Sequence, residues 1–398
     1  MNNPSKTALF IIVVALIVSA IVYLESQKVR VLGPVASAND TIDLDALTDA
    51  TSTATSTVAS GDIPTKAKPP ARTANFETLK AKYPVAKELV SPDAYINTGG
   101  KPITIKSLIG HKVILLDFWT YSCINCQRVT PYLNAWYAKY KDAGLEIIGV
   151  HSPEFAFERV LSNVQEAVTK FGIQYPVILD SEMQTWNAYG NQYWPEHYLI
   201  DINGLVVDRH IGEGGYAETE AKIQELLKQR KLVLSSATDI PTGTVDITQV
   251  ISANSPETYF GFNRNEYLAN GTPSTPGMQT ITHPADDSIE TSQLYLAGTW
   301  DFKGEYAENQ SADARIIYRY NAKNVYFVAS SAGGTEITVL RDGVPVAAQR
   351  GEDVDASGHA MIKNARLYKL ISEPSMSTHT LEIIIKGAGL DAYTFTFG

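Results

Sequence analysis

The chain has 398 residues, 44% of them hydrophobic and 19% charged, which supports two or three domains with real cores. Lys and Arg number 33 against 43 Asp and Glu, a net charge of −10; with no basic cluster, a nucleic-acid role lacks its electrostatic footprint. Only two cysteines are present, so a disulfide-stapled fold is excluded.

Residues 8–24, ALFIIVVALIVSAIVYL, carry no charge. The run is at the short end for a membrane span and long for a signal-peptide core. Ala36-Ser37-Ala38 has the small-residue pattern of a cleavage site, but lies too far beyond the run. The reading is an uncleaved anchor over residues 1–32, with the bulk of the chain outside the membrane. Disulfides persist there. Residues 33–74 are rich in Thr, Ser, Ala and Pro. They cannot bury enough apolar surface to offset ordering, and read as a disordered linker.

From 75 to 234 strand and helix patterns alternate. Val113 to Phe118 is a buried-strand run, followed by a helical pattern from Val129 to Tyr140. Leu145 to Val150 is the next strand. Phe155 to Phe171 carries apolar residues at helical spacing,. Pro176 to Leu179 is a short strand, and Met183 to Tyr189 a brief helix. His197 to Asp201 and Leu205 to His210 flank Asn203-Gly204, a hairpin signal,. Ala217 to Lys231 closes as a helix. The class is α/β, a mixed sheet flanked by helices.

Residues 235–256 read as a Ser/Thr/Asp/Pro connector. From 257 to 398 short alternating runs recur between Gly and Asn turns, including Ala314 to Tyr320, Val325 to Val328 and Leu381 to Ile385. This reads as an all-β sandwich, jelly-roll-like. Tyr259, Tyr267, Trp300, Tyr306 and Tyr368 could stack on a glycan or protein partner, although aromatics more often fill such cores.

The chemistry sits in Tyr121-Ser122-Cys123-Ile124-Asn125-Cys126. A C-x-x-C at a strand-to-helix junction is the working end of a thiol–disulfide exchanger. Helix N-termini carry unpaired N–H groups and partial positive charge, which favour a thiolate. One thiol attacks a substrate disulfide, and the other, one turn along, resolves the mixed disulfide. A zinc half-site would need two more ligands. No second pair exists, and the seven histidines are scattered. An inert pair in an envelope binding or scaffold protein is the non-enzymatic alternative. Thr120 three before Cys123 echoes the T-x-x-C of peroxiredoxins, so a thiol peroxidase is the enzymatic one. No cofactor beyond the Cys123–Cys126 couple is called for.

The order of elements, with C-x-x-C after a central strand, resembles the thioredoxin fold in its membrane-tethered TlpA-like, or redoxin, branch. Asp117-Phe118-Trp119 before the cysteines and Trp194-Pro195 before a strand carry the match. The resemblance implies that Cys123 is the nucleophile and Cys126 the resolving thiol. It further implies that Asp117 is a buried proton acceptor and that Pro195 is a cis-proline facing the cysteines. Trp119, Tyr121 and Trp194 would flank a substrate groove. His151 and Glu154 read as solvated loop residues, and Gly212 to Gly215 as a close-packed loop. Together with His151-Ser152-Pro153-Glu154-Phe155 and Gly212-Glu213-Gly214-Gly215-Tyr216, the site string resembles the extracytoplasmic part of DipZ-type proteins. Those carry a β domain similar to carbohydrate-binding modules. The resemblance implies protein thiol and disulfide substrates and a separate CcdA/DsbD-like membrane electron donor, because only one span is present here. Ser122 stands where thioredoxin has Trp.

Overall fold

A computed structural model describes residues 76–247 and 253–398. The expected anchor at 8–24 and linker at 33–74 lie outside the described residues. Among the described residues no helix is long and apolar enough to cross a membrane.

The first domain begins with α1 (Phe76–Lys82), β1 (Ala94–Ile96) and the single-turn α2 (Ile105–Leu108). Then come β2 (Val113–Trp119), α3 (Ile124–Tyr140) and β3 (Leu145–His151). A 3-10 turn (Ala156–Arg159) leads into α4 (Leu161–Lys170). β4 (Val177–Leu179), α5 (Gln184–Tyr189), β5 (Glu196–Ile200), β6 (Val206–Ile211) and α6 (Tyr216–Leu234) complete the domain. The helix expected from Phe155 is therefore split. The break lets Phe155 and the 3-10 turn pack toward the active-site loop.

The sheet order is β1-β4-β3-β2-β5-β6. β2, β3 and β4 run parallel, and β1, β5 and β6 antiparallel to their neighbours. Central β2 is buried at every position, which explains its unbroken apolar run. One face of the sheet packs with Val129, Leu133, Trp136 and Ile223, the other with Ile105 and Trp186. Beyond α6 the chain stays on this domain: Ile240, Val245 and Ile247 pack against its core.

The second domain contains β7 (Thr258–Tyr259), β8 (Gly277–Ile281), β9 (Leu294–Phe302), β10 (Ala307–Asn309) and β11 (Ala314–Ser330). β12 (Thr335–Arg341), β13 (Val344–Pro345), β14 (His359–Ile362), β15 (Arg366–Ile385) and β16 (Asp391–Phe397) follow. All the ladders between these strands are antiparallel. The sequence led to a jelly-roll-like sandwich. Hydrogen bonding runs through one ten-stranded sheet, most of whose apolar residues meet in a single buried cluster. β11 and β15, 17 and 20 residues long, pair along most of their length, with register shifts at Ala322/Asn324 and Val325/Tyr326. On its other edge β11 pairs first with β9 and then with β16.

The domains share an apolar junction. Ile124 and Phe155 of the first are buried against Tyr326, Val328, Leu367 and Tyr393 of the second.

Gly149 in β3 lets the strand pass beneath Trp119. A Cβ there would stand 2.8 Å from the indole nitrogen and 3.2 Å from a Val177 methyl. Because Trp119 is sealed in the core, Gly149→Ala is expected to cost about 1–3 kcal/mol of stability by overpacking. The urea midpoint measures this; an unshifted midpoint would show that the ring has room to move.

Candidate functional site

The site forms where β2 ends and α3 begins. Seven buried residues deliver the chain to Trp119, and Thr120 to Ser122 turn it into the helix. Cys123 is the helix N-cap, and its Sγ accepts the Cys126 N–H at 3.4 Å. Its thiol also lies 3.9 Å from the Trp194 carbonyl oxygen. The Trp194–Pro195 peptide is cis. Cys123 is half-buried, whereas Cys126 is sealed. Burial pushes the Cys126 thiol well up, and the hydrogen bond with Cys123 and the nearby Cys123 and Asp117 charges act in the same direction,. One sulfur can therefore meet a partner while the other is held as the neutral thiol.

Asp117 is buried in β2, as its apolar neighbours imply, but it is not alone. His197 Nε2 lies 3.0 Å from its Oδ1. That spacing is an ion-pair distance, yet the approach is off-line, and neither atom has a directed hydrogen bond,. Tyr175 is also sealed, with its hydroxyl unpartnered among the described residues. Burial raises the Tyr175 hydroxyl, and the charges of Asp117 and Cys126 raise it further, which places all three groups together. Sequence reading missed His197 and Tyr175. His197 meets Asp117 through the antiparallel register of β2 and β5, which no local sequence pattern encodes.

The expected groove residues separate. Trp119 and Tyr121 are 1% and 5% exposed, so neither offers a face to a bound chain. The Tyr121 hydroxyl donates to the Ala365 carbonyl of the second domain at 3.0 Å. Trp194 is half-buried, packs on Trp186 with ring centroids 4.2 Å apart, and donates its indole N–H to the Ser152 carbonyl. Ile124, between the cysteines, is covered by the domain junction.

His151 and Glu154 are not the solvated loop residues the sequence suggested. His151 is sealed between Trp119 and Tyr121. The Glu154 carboxylate accepts from Tyr259 Oη and from Arg264, each at 2.8 Å, across the junction. Glu154 is drawn in by the second domain, and His151 by the aromatic rings of its own. Glu158 was missed altogether, hidden inside the helical pattern. It is fully buried and accepts the Ser122 hydroxyl at 2.6 Å and the Ser122 N–H at 3.2 Å. Its other oxygen accepts the N–H groups of Glu154 and Phe155. Burial raises its carboxyl, while the Ser122 hydrogen bond lowers it.

Gly212 to Gly215 leads into α6, and Gly215 adopts φ +58° beside the His210 ring. In the second domain Trp300 and Tyr368 are core residues. Tyr259 and Tyr306 pack at the junction, and Tyr267 is half-buried.

A half-exposed sulfur at a helix N-terminus, a sealed partner sulfur one turn on and a cis-proline segment facing them define a thioredoxin-like dithiol site. Residues 79–244 match the family model described as Redoxin, and residues 255–398 match that described as Thioredoxin like C-terminal domain. Protein DipZ of Mycobacterium bovis is 38% identical over 314 residues, covering 79% of this chain and 43% of DipZ. The thiol-disulfide oxidoreductase ResA of Bacillus thuringiensis is 33% identical over 155 residues, covering 39% of this chain and 83% of ResA. A thioredoxin-like protein solved in its oxidised form is 26% identical, covers 36% of this chain and 96% of its own, and superposes with a TM-score of 0.34. The chain belongs to the redoxin branch of the thioredoxin-like thiol–disulfide oxidoreductases. It spans less than half the length of the DipZ proteins that it matches.

Burial pushes His151 down from 6.5 to about 3. The unfolded chain binds a proton at the higher value and the folded chain at the lower. The unfolded state therefore holds more protons between them, and stability falls as pH drops through that window. His151→Phe, which removes a ring nitrogen that has no partner, is expected to flatten the stability–pH slope below about pH 6.5 by at most about 1.4 kcal/mol per pH unit. Denaturant midpoints across that range test this; parallel curves would show that His151 is not the linked group.

Proposed function

We propose that this chain is a membrane-anchored, extracytoplasmic thiol–disulfide oxidoreductase that reduces protein disulfides in the cell envelope. Its electrons come from a separate CcdA/DsbD-like membrane donor. The observation that carries the reading is the asymmetry of the pair: Cys123 Sγ is reachable at the α3 N-terminus, and Cys126 is sealed beside Asp117.

The mechanism follows from that asymmetry. Cys123 reacts as the thiolate, its sulfur standing at the helix N-terminus within reach of the Cys126 N–H,. It attacks one sulfur of a substrate disulfide, and the other sulfur leaves with the electron pair. The substrate backbone adds along the Trp194-Pro195 segment, whose carbonyl already faces Cys123,. Cys126 loses its proton toward Asp117 and attacks Cys123 Sγ. The second substrate sulfur is then released as thiolate, and Cys123–Cys126 becomes a disulfide for the donor to reduce. The redox unit over 75–234 carries this chemistry, with residues 257–398 covering the Ile124 side of the site.

Replacing Cys123 with Ser should abolish reduction of insulin disulfides. Cys126→Ser should instead accumulate mixed disulfides through Cys123, visible by mass spectrometry. Adducts on Cys126 in the reciprocal variant, with none on Cys123, would reverse the roles.

Asp117→Asn should slow resolution near neutral pH by about tenfold or more, the lower range of general acid–base effects. Alkylation of Cys123 should stay nearly unchanged. Equal resolution rates in both proteins across a pH series would leave solvent as the acceptor.

A further inference from the structure

β2 and β5 pair antiparallel with Asp117 directly opposite His197. The two side chains are 3% and 4% exposed, and their facing atoms lie 3.0 Å apart. Neither atom has a directed hydrogen bond among the described residues. A carboxylate and an imidazole sealed together in a sheet interior are costly to desolvate, and an apolar pair of similar volume would often be as stable. Their position beneath a sealed thiol gives them something to do. Resting on the reading above in which Cys126 resolves the mixed disulfide, we propose that His197 completes the proton acceptor for Cys126, with Asp117 and His197 taking up one proton as a unit.

Charge bookkeeping favours the unit. Before resolution Cys126 is a neutral thiol, and carboxylate plus neutral imidazole carry one negative charge. During resolution the S–H bond of Cys126 breaks and its sulfur bonds to Cys123 Sγ. The substrate sulfur departs as thiolate and takes its own proton from solvent. The Cys126 proton moves to the pair, which becomes carboxylate plus imidazolium, net zero. The charge leaving with the substrate is therefore not matched by an isolated charge in the core. The imidazolium is formed already beside its carboxylate, so no lone buried cation arises.

The geometry also provides a way out. His197 stands opposite His210 of β6, with rings 6.2 Å apart and tilted by 15°. His210 is half-buried and borders the Gly212–Gly215 loop. The titratable groups facing this pair are Cys126 and Tyr175 on the Asp117 side and Asp208 and His210 on the His197 side, with Lys222 acting on Asp208 and Glu218 on His210 beyond them. His197 thus stands between Asp117 and His210 of the edge strand, a place that a lone Asp117 does not occupy.

Dithiobis-nitrobenzoate separates the two chemical steps in the reduced full chain. The first nitrothiolate release reports attack by Cys123, and the second reports attack by Cys126 on the resulting mixed disulfide. His197→Gln should slow the second release by about tenfold or more near pH 7 and leave the first within about twofold. A second release within about twofold of wild type from about pH 6 to 9 overturns the proposal and leaves Asp117 as sole acceptor. If His197→Gln does not fold, nitrogen NMR of the unsubstituted chain decides. The His197 titration midpoint should differ by about one pH unit between the dithiol and disulfide forms, and superimposable curves overturn the proposal. A wild-type chain with no second release removes the resolving role of Cys126 and this inference with it. A normal wild-type trace with an unaffected variant removes this inference alone.

Discussion

The N-terminus of α3 is held at the end of a strand sealed on both faces, and the rest of the site depends on that constraint. Because β2 is buried at every position, its last residues cannot shift without opening both cores. The chain therefore enters α3 at a set place, with Cys123 at the cap and Cys126 one turn inside. The cap N–H groups then face a sulfur that is partly open to solvent, while the core desolvates its partner. A single covalent spacing yields two thiols of opposite character. The difference comes from dielectric surroundings and not from any difference in the residues.

The second domain is part of this arrangement. It buries Ile124, which lies between the cysteines, and holds the Tyr121 hydroxyl through the Ala365 carbonyl. The turn from Glu154 to Glu158 forms a strut between the two. Its far end binds Tyr259 and Arg264 through the Glu154 carboxylate. Its near end binds Ser122 through Glu158. Two carboxylates on one short turn thus tie the residue before Cys123 to the β domain. A carboxylate accepting four donors in a dry site is a stiff connector, because releasing any donor leaves a buried polar group unsatisfied. With the Ile124 side covered, the Trp194 carbonyl is what stands beside the half-buried Cys123 sulfur.

The α/β domain was legible in the chain because its signals are local. Buried strands are continuous apolar runs, hairpins announce themselves in Asn203-Gly204, and a vicinal thiol pair needs no partner elsewhere to be recognised. The β domain was legible as strands but not as a sheet. Pairing is non-local, and nothing in Ala314–Ser330 or Arg366–Ile385 states that two strands of such length would lie side by side or where their register shifts,. The 155–171 stretch was misread as one helix because its apolar spacing is helical throughout. The break at Val160 answers to the contacts of Phe155 and Glu158, which the spacing does not encode.

The sequence by itself determined the dithiol, its place at a strand-to-helix junction, the aspartate in the central strand and the Trp194-Pro195 segment. These follow from residue identity and short-range periodicity. Only the tertiary structure decided that His197 faces Asp117, that Tyr175 lies beside Cys126, that Glu158 holds Ser122, and that Glu154 binds the second domain. Each of these is a meeting of residues from 36 to more than 100 positions apart. The register of the sheet and the docking of one domain on the other bring them together, and with them comes the burial that leaves one sulfur half-exposed and the other sealed.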